Sequence, residues 1–428
     1  MSVVQQARGR LRSTARAGRA AVDGRVIVLA SVTVYLSVVA AFRSIWRVDI
    51  WPWLGVPSGP SLFFDARNVA AAAECSRLGY DPLVDNPCDP WDRTIFYPRA
   101  WLLLRWTGLD QSHTFLFGAA IVAITLLMLL ALLPRLSWQE GLLAAAAACS
   151  PAVMFAVERA NMDLVIFSGL ALAAVVWRRG TAAAQYVAVA LVLLMSLAKL
   201  YPAIALLAFV PARRRRTAVA AAAAMVVFAA YAVATREDIG TISGAATQGQ
   251  YNSYGARILL GRLYHAVAGD EWGGSRVVAQ GLVLVAAAVL ALAVSLVLRR
   301  RSSIRPRREW QPMEETAELL AFRMGALVYL GTFVAGNSFD YRLVCLLLVV
   351  PGLLRWPTAK GAERAARLPR ATLTAVLLML WIGALSEHLM LWDELVSWVL
   401  AGMLAVLLAR SVAPIATVLR PELAHAPR

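Results

Sequence analysis

The chain is 428 residues long, 60% hydrophobic and only 16% charged, with a mean hydropathy of +0.64. A soluble domain carries roughly 25% charged residues, and no period-two alternation marks barrel strands, which leaves an all-α, polytopic integral membrane protein. The net charge of +16 lies in short clusters between apolar runs, which excludes nucleic acid as a partner and reads as loop charge that sets topology.

Residues 1–25 are an arginine-rich cytoplasmic segment, with Arg8, Arg10, Arg12, Arg16, Arg19 and Arg25, that runs into a full spanning stretch rather than a cleavable leader. A transmembrane domain, 26–410, follows, and then a cytoplasmic tail, 411–428. About 20 apolar residues cross a bilayer as a helix. The apolar runs predict twelve passes, near 26–43, 113–133, 141–157, 162–177, 182–198, 200–211, 217–235, 277–298, 318–335, 342–354, 371–387 and 393–410. The sixth, LYPAIALLAFVP, is short and flanked by Pro202 and Pro211, so a half-helix or a kinked fusion with the fifth are the other readings. Fusion would move the run Arg213–Arg216 outside, and the positive-inside rule therefore favours two short passes. Both termini are then cytoplasmic, in the plasma membrane.

This topology assembles an outer side from a first loop, 44–112, a second long loop, 236–276, and tight turns at 158–163, 199–202, 336–342 and 386–394. Their charges are mixed in sign and interleaved with aromatics, unlike the arginine-only inner clusters. In the first loop, Val69, Ala72, Ala73 and Leu78 recur at near-helical spacing, which predicts an amphipathic helix from Asp65 to Leu78 lying along the membrane surface and ended by Gly79. Asp65 stands at its N-terminus, where the helix dipole favours a carboxylate; plain N-capping is the alternative duty. A second interfacial helix is expected from about 98 to 107, anchored by Trp101 and Trp106. Cys75 and Cys88 share this loop, and an oxidising outer compartment permits a disulfide that their spacing alone does not establish. The four histidines are scattered and no metal or cofactor is expected.

The segments FFDARNVAAAAECSRLGYDPL, FYPRAWLLL, ERANMDLVIFSGL, LAKLYPAIALL and GNSFDYRLVCLLL run in this order from the first loop to the tenth pass. Together they resemble the GT-C superfamily of membrane glycosyltransferases, and more narrowly glycosyltransferase family 87, which includes mannosyl- and arabinofuranosyltransferases. The resemblance implies transfer of a sugar, mannose or arabinofuranose, from a polyprenyl-phosphate donor to a glycan or glycolipid acceptor, with Asp65 as general base. Inverting transfer needs a carboxylate to take the acceptor proton and cations to hold the phosphate leaving group. Lys199 and Arg342 are the expected phosphate contacts, with Arg159 and Arg67 as further candidates. Against this, Lys199 as a snorkelling side chain, Arg342 paired to Asp340, and Arg159 paired to Glu158 or Asp163 are purely structural readings. Asn161, Asn252, Tyr254, Asn337 and Tyr341 are candidates for sugar or acceptor hydroxyls, Asn252 and Tyr254 from a lid formed by the second loop. The carboxylates Asp49, Asp81, Asp85, Asp89 and Asp92 sit mostly in turn contexts. The other functional reading is a transporter or flippase of lipid-linked glycans.

Overall fold

The computed structural model describes residues 23–211, 215–245, 252–256, 258, 315–335, 338–356, 363–383 and 386–412. They form α1 (Gly24–Ala41), α2 (Phe64–Arg77), α3 (Thr114–Leu132), α4 (Trp138–Ala148), α5 (Pro151–Arg159), α6 (Met162–Trp177), α7 (Ala182–Ala198), α8 (Arg215–Ala234) and α9 (Arg236–Ala245). The second half contributes α10 (Ala317–Ala335), α11 (Val349–Leu354), α12 (Glu363–Ile382) and α13 (Ser386–Ser411). The described chain is thus mostly helical. Five of its stretches are long and apolar enough to cross a membrane: Gly24–Trp46, Gln111–Leu132, Arg215–Ala234, Ala317–Ala335 and Trp392–Ser411. The predicted third pass is two helices, α4 and α5, bent by 53° at Ser150–Pro151, where Ser150 caps α5 and proline occupies its first turn. The predicted pass at 277–298 lies outside the described residues.

Three nine-residue 3-10 segments, Arg99–Thr107, Tyr201–Phe209 and Asp340–Leu348, are unusually long for that geometry. At about 2.0 Å rise per residue, Tyr201–Phe209 reaches about 18 Å, well short of a hydrocarbon core of about 30 Å. The half-helix reading describes this segment. Asp340–Leu348 continues directly into α11, and together they extend about 27 Å.

The helix at the centre is α10, with 72% of its apolar window buried, against 17–28% for those of α1, α3 and α8. Between helices in lipid, small residues and close backbone approach replace the hydrophobic effect as the source of attraction. Where α1 meets α4, a Cβ at Gly141 would stand 2.5 Å from the Gly24 carbonyl oxygen, so only glycine fits. Gly141→Ala is expected to cost about 1–3 kcal/mol, seen as a lower thermal unfolding midpoint in detergent.

At one end of α6, the Arg178 guanidinium donates to the terminal carbonyls of α3 at Ala131 and Leu132 and reaches Glu318 at 3.1 Å. Nearby, the buried Arg323 joins Glu315 at 2.7 Å and the Ser411 carbonyl, tying α10 to the end of α13. These arginines serve as clamps. The other end of α6, about 24 Å away, carries a different set of charges.

Candidate active site

The turn between α5 and α6 builds that end. Ala160 takes a left-handed conformation, φ 44°, which stops α5 and reverses the chain within two residues. Asn161 then caps α6: its Oδ1 accepts from the Asp163 backbone N–H at 2.8 Å. Arg159, Asn161 and Asp163 consequently surround one apex. The same Asn161 side chain turns its Nδ2 outward and donates to Asp65 Oδ2 at 2.6 Å.

Asp65 lies in the first turn of α2, one residue inside the helix start. Phe63, at φ 57°, takes the cap position without a side-chain hydrogen bond, so Asp65 is not the N-cap. Its carboxylate is held by Asn161 and by the Arg159 guanidinium at 3.4 Å. The middle of α2 is covered by protein on successive faces rather than on one. Ala66, Asn68 to Ala73 and Cys75 are all buried, because the alanine run has no side-chain bulk and allows the 3-10 segment Arg99–Thr107 to cover it. That segment falls where a helix is expected from about 98 to 107, and it winds more tightly. Its Trp106 is 76% exposed, but Trp101 points inward and donates to the Ala198 carbonyl at 2.8 Å.

Beyond Asn161 lies Asp163, whose carboxylate is fully buried. Its Oδ1 accepts from Lys199 Nζ at 2.6 Å and from the Tyr201 hydroxyl at 2.7 Å, while Arg342 Nε faces Oδ2 at 3.7 Å. Lys199 sits where α7 gives way to the 3-10 segment Tyr201–Phe209, and Arg342 lies in the first turn of Asp340–Leu348. Two irregular backbone segments thus deliver the two cations, and Asp163 orients both. The Lys199 ammonium also lies 5.2 Å from the Tyr97 ring and 5.8 Å from those of Tyr201 and Tyr341. Tyr97 Oη stands 3.4 Å from Asn161 Nδ2, and burial beside the Asp65 charge pushes its phenol well above the ordinary value, which keeps it a neutral hydrogen-bonding group.

The directly contacting charges are three cations, Arg159, Lys199 and Arg342, against two carboxylates, Asp65 and Asp163, leaving one positive charge in surplus. Lys199, Asp65, Arg342 and Arg159 keep 13%, 14%, 18% and 23% of their side-chain surface, whereas Asp163 has none, so the first four form a reachable rim. Among the described residues, no group of three or more His, Cys, Asp or Glu side chains is placed to hold a metal ion. No family model, curated protein or solved structure matches this chain.

Of the sequence candidates, Asp65, Arg159, Asn161, Lys199, Tyr341 and Arg342 come together. Arg67 does not. Two residues along a helix turn it about 200° from Asp65, and it donates instead to Gln111 Oε1 at 3.3 Å. Tyr254 is 1% exposed, stacked on Tyr329 at 5.3 Å and joined to Thr332 at 2.7 Å, which makes it a packing residue of the bundle rather than part of an open lid. Its strand, Ser253–Tyr254, pairs with Ser338–Phe339, whose Ser338 accepts from Arg342 at 2.7 Å; Asn252 offers its backbone carbonyl to Asp340 N–H. Asn337 lies outside the described residues. The structural pairings weighed for the arginines also change, since Arg342 faces Asp163 rather than Asp340, and Arg159 faces Asp65. Tyr97, Tyr201 and the organising role of Asp163 were not read from the sequence. The one signal for Asp163 was its place beside Arg159 in the same turn.

The first turn of α2 is held from behind. Arg93 lies 3.5 Å from the Phe64 ring centroid, donates to the Phe64 carbonyl at 3.0 Å and pairs with the buried Asp89 at 2.8 Å. Cys75 and Cys88 form a disulfide that ties this 86–93 stretch to the end of α2. Replacing both cysteines by serine frees a loop of sequence separation 13, with an expected loss of about 3 kcal/mol measured as a lower unfolding midpoint. Reductant should produce the same shift in the parent protein and none in the variant.

Proposed function

We propose that the chain is a multi-pass, polyprenyl-phosphate-sugar-dependent glycosyltransferase, with the rim of Asp65, Arg159, Lys199 and Arg342 facing the extracytoplasmic side of the plasma membrane. One observation carries this reading: a reachable carboxylate stands beside a cation group with one surplus positive charge, at the end of an apolar helix bundle. Such a pairing suits a reaction that removes a proton from a hydroxyl and releases an anion from a lipid.

In this mechanism Asp65 accepts the proton of an acceptor hydroxyl. The hydroxyl oxygen forms a bond to the anomeric carbon as the bond from that carbon to the phosphate oxygen breaks. The electron pair leaves with the lipid phosphate, whose charge Lys199 and Arg342 balance, and the anomeric configuration inverts. Asn161 and Arg159 aim the Asp65 carboxylate. Asp163 does not serve as base in this mechanism, because its side chain keeps no exposed surface for a hydroxyl to reach.

The test uses the full chain in lipid nanodiscs, supplied with labelled polyprenyl-phosphate mannose or polyprenyl-phosphate arabinofuranose and a saccharide acceptor. Label in an inverted glycosidic product is the expected result. Movement of the lipid-linked sugar across proteoliposomes with no new glycosidic bond would replace this reading with that of a transporter or flippase.

A further inference from the structure

A second concave feature lies away from these charges. Between the end of α2 and the 3-10 segment Arg99–Thr107 is a groove of about 460 Å³, lined by Ser76, Tyr80, Asp81, Arg99, Leu102 and Arg105 among others. Its volume falls in the range of small-molecule sites, roughly 300–1,000 Å³. Its charges are arranged differently from those of the Asp65 rim. Arg99 donates to both Asp81 oxygens at 2.9 Å and to Asp238 of α9 at 2.9 Å, so both acids engage Arg99 alone, while Arg105 donates to Ser76 Oγ at 3.4 Å and meets no acid among the described residues. Arg105 rests on the Trp106 ring at 4.7 Å.

That arrangement discriminates between ligands. A phosphate needs converging cations free to bind it, whereas here Arg99 is taken by two carboxylates and Arg105 stands alone. An acyl chain needs an apolar lining, and the apolar contribution is limited to Pro82, Leu102 and Leu103. What the groove offers is an aromatic face, Tyr80 at 46% exposure, beside a planar Asp81–Arg99 pair whose two members each keep 43% of their side-chain surface. A ring with one apolar face and neighbouring hydroxyls, each able to donate and accept, matches that set.

Ser76 and Asp65 lie eleven residues apart on α2, about 16 Å along its axis and within about 20° of the same face. The 3-10 segment joins the two places: Trp101 bonds the carbonyl next to Lys199, while Arg99 and Arg105 line the groove. We infer that this groove is a remote saccharide subsite, holding a non-reacting part of a neutral oligosaccharide acceptor. The inference rests on the glycosyl-transfer reading of the Asp65 rim.

Binding is measured apart from transfer, on the full chain in nanodiscs by saturation-transfer NMR, with mannotetraose, arabinofuranotetraose and free mannose as probes. One tetrasaccharide is expected to bind at least tenfold more tightly than mannose, and Tyr80→Ala to weaken it by about tenfold. Because Tyr80 is half exposed, that variant should keep the parent's unfolding midpoint, and Leu103→Trp, which fills the groove from an exposed position, gives the same loss by obstruction. Equal binding by parent and both variants, no binding of either tetrasaccharide, or retention of anionic lipid that Arg105→Gln abolishes would each overturn the subsite. Saccharide binding with these dependences but without any sugar transfer would instead count against the glycosyltransferase reading and leave the groove assignment standing.

Discussion

Replacing Asp65 by asparagine is expected to lower sugar transfer by about 10²–10⁴-fold while leaving the thermal unfolding midpoint unchanged. The amide matches the carboxylate in shape, and one oxygen remains to accept from Asn161, now 2.6 Å from Asp65 Oδ2. What disappears is the group that takes up the acceptor proton. The surroundings are forgiving of the change, since Arg159 is already solvated in part and stacked 4.9 Å from the Phe155 ring. Initial rates of parent and variant at matched concentrations of folded protein decide the matter. Full activity in Asp65→Asn would remove Asp65 from the role of base. A large fall in both rate and stability would reassign it to holding α2 against the α5–α6 turn.

Asp163→Asn should act in the opposite way, through stability first. The carboxylate is fully buried, and it is the shared partner of Lys199 and Arg342. Removing its charge without changing its size leaves two cations close together with one countercharge fewer, and breaking a buried pair in this manner costs about 3–5 kcal/mol. Lys199→Gln removes one of the stranded charges, so the double variant should be less destabilised than the sum of the two single changes. Thermal or chemical unfolding of the four proteins in the same nanodisc measures this coupling. Strict additivity would show that Asp163 does not organise the cations, whatever its distance from them.

These two residues mark how far the site was legible. Asp65 stood out because a carboxylate at the start of a helix between two phenylalanines and an alanine run is conspicuous in one dimension. Lys199 and Arg342 were equally visible, as isolated cations where apolar runs end. Asp163 was legible only as a neighbour of Arg159, because the partner of a buried charge depends on which helix ends meet, and Lys199 and Arg342 are distant from it in the chain. Arg67 shows the reverse error. Sequence proximity to Asp65 made it a candidate, but the helical turn of about 100° per residue sends it to the other face.

Irregular backbone was the other obstacle. The 3-10 windings of Tyr201–Phe209 and Asp340–Leu348 carry the same apolar composition as an α-helix, so a hydropathy window reads each as a pass. Tighter winding changes their reach and the direction in which their first residues point. It is these segments that bring Lys199, Tyr201 and Arg342 onto Asp163.

By itself, the sequence determined that the protein is helical, apolar over most of its length, and punctuated by arginine clusters and by turns rich in acids and aromatics. Those properties follow from composition and local periodicity, which need no knowledge of neighbours. Tertiary structure alone decided that the middle of α2 is buried under protein, that Cys75 meets Cys88, and that Asp163 rather than Asp340 serves Arg342. The reason is physical: in an apolar bundle each buried charge must find an opposite charge or a hydrogen bond. Which one it finds is settled by helix ends that approach only when the whole chain is packed.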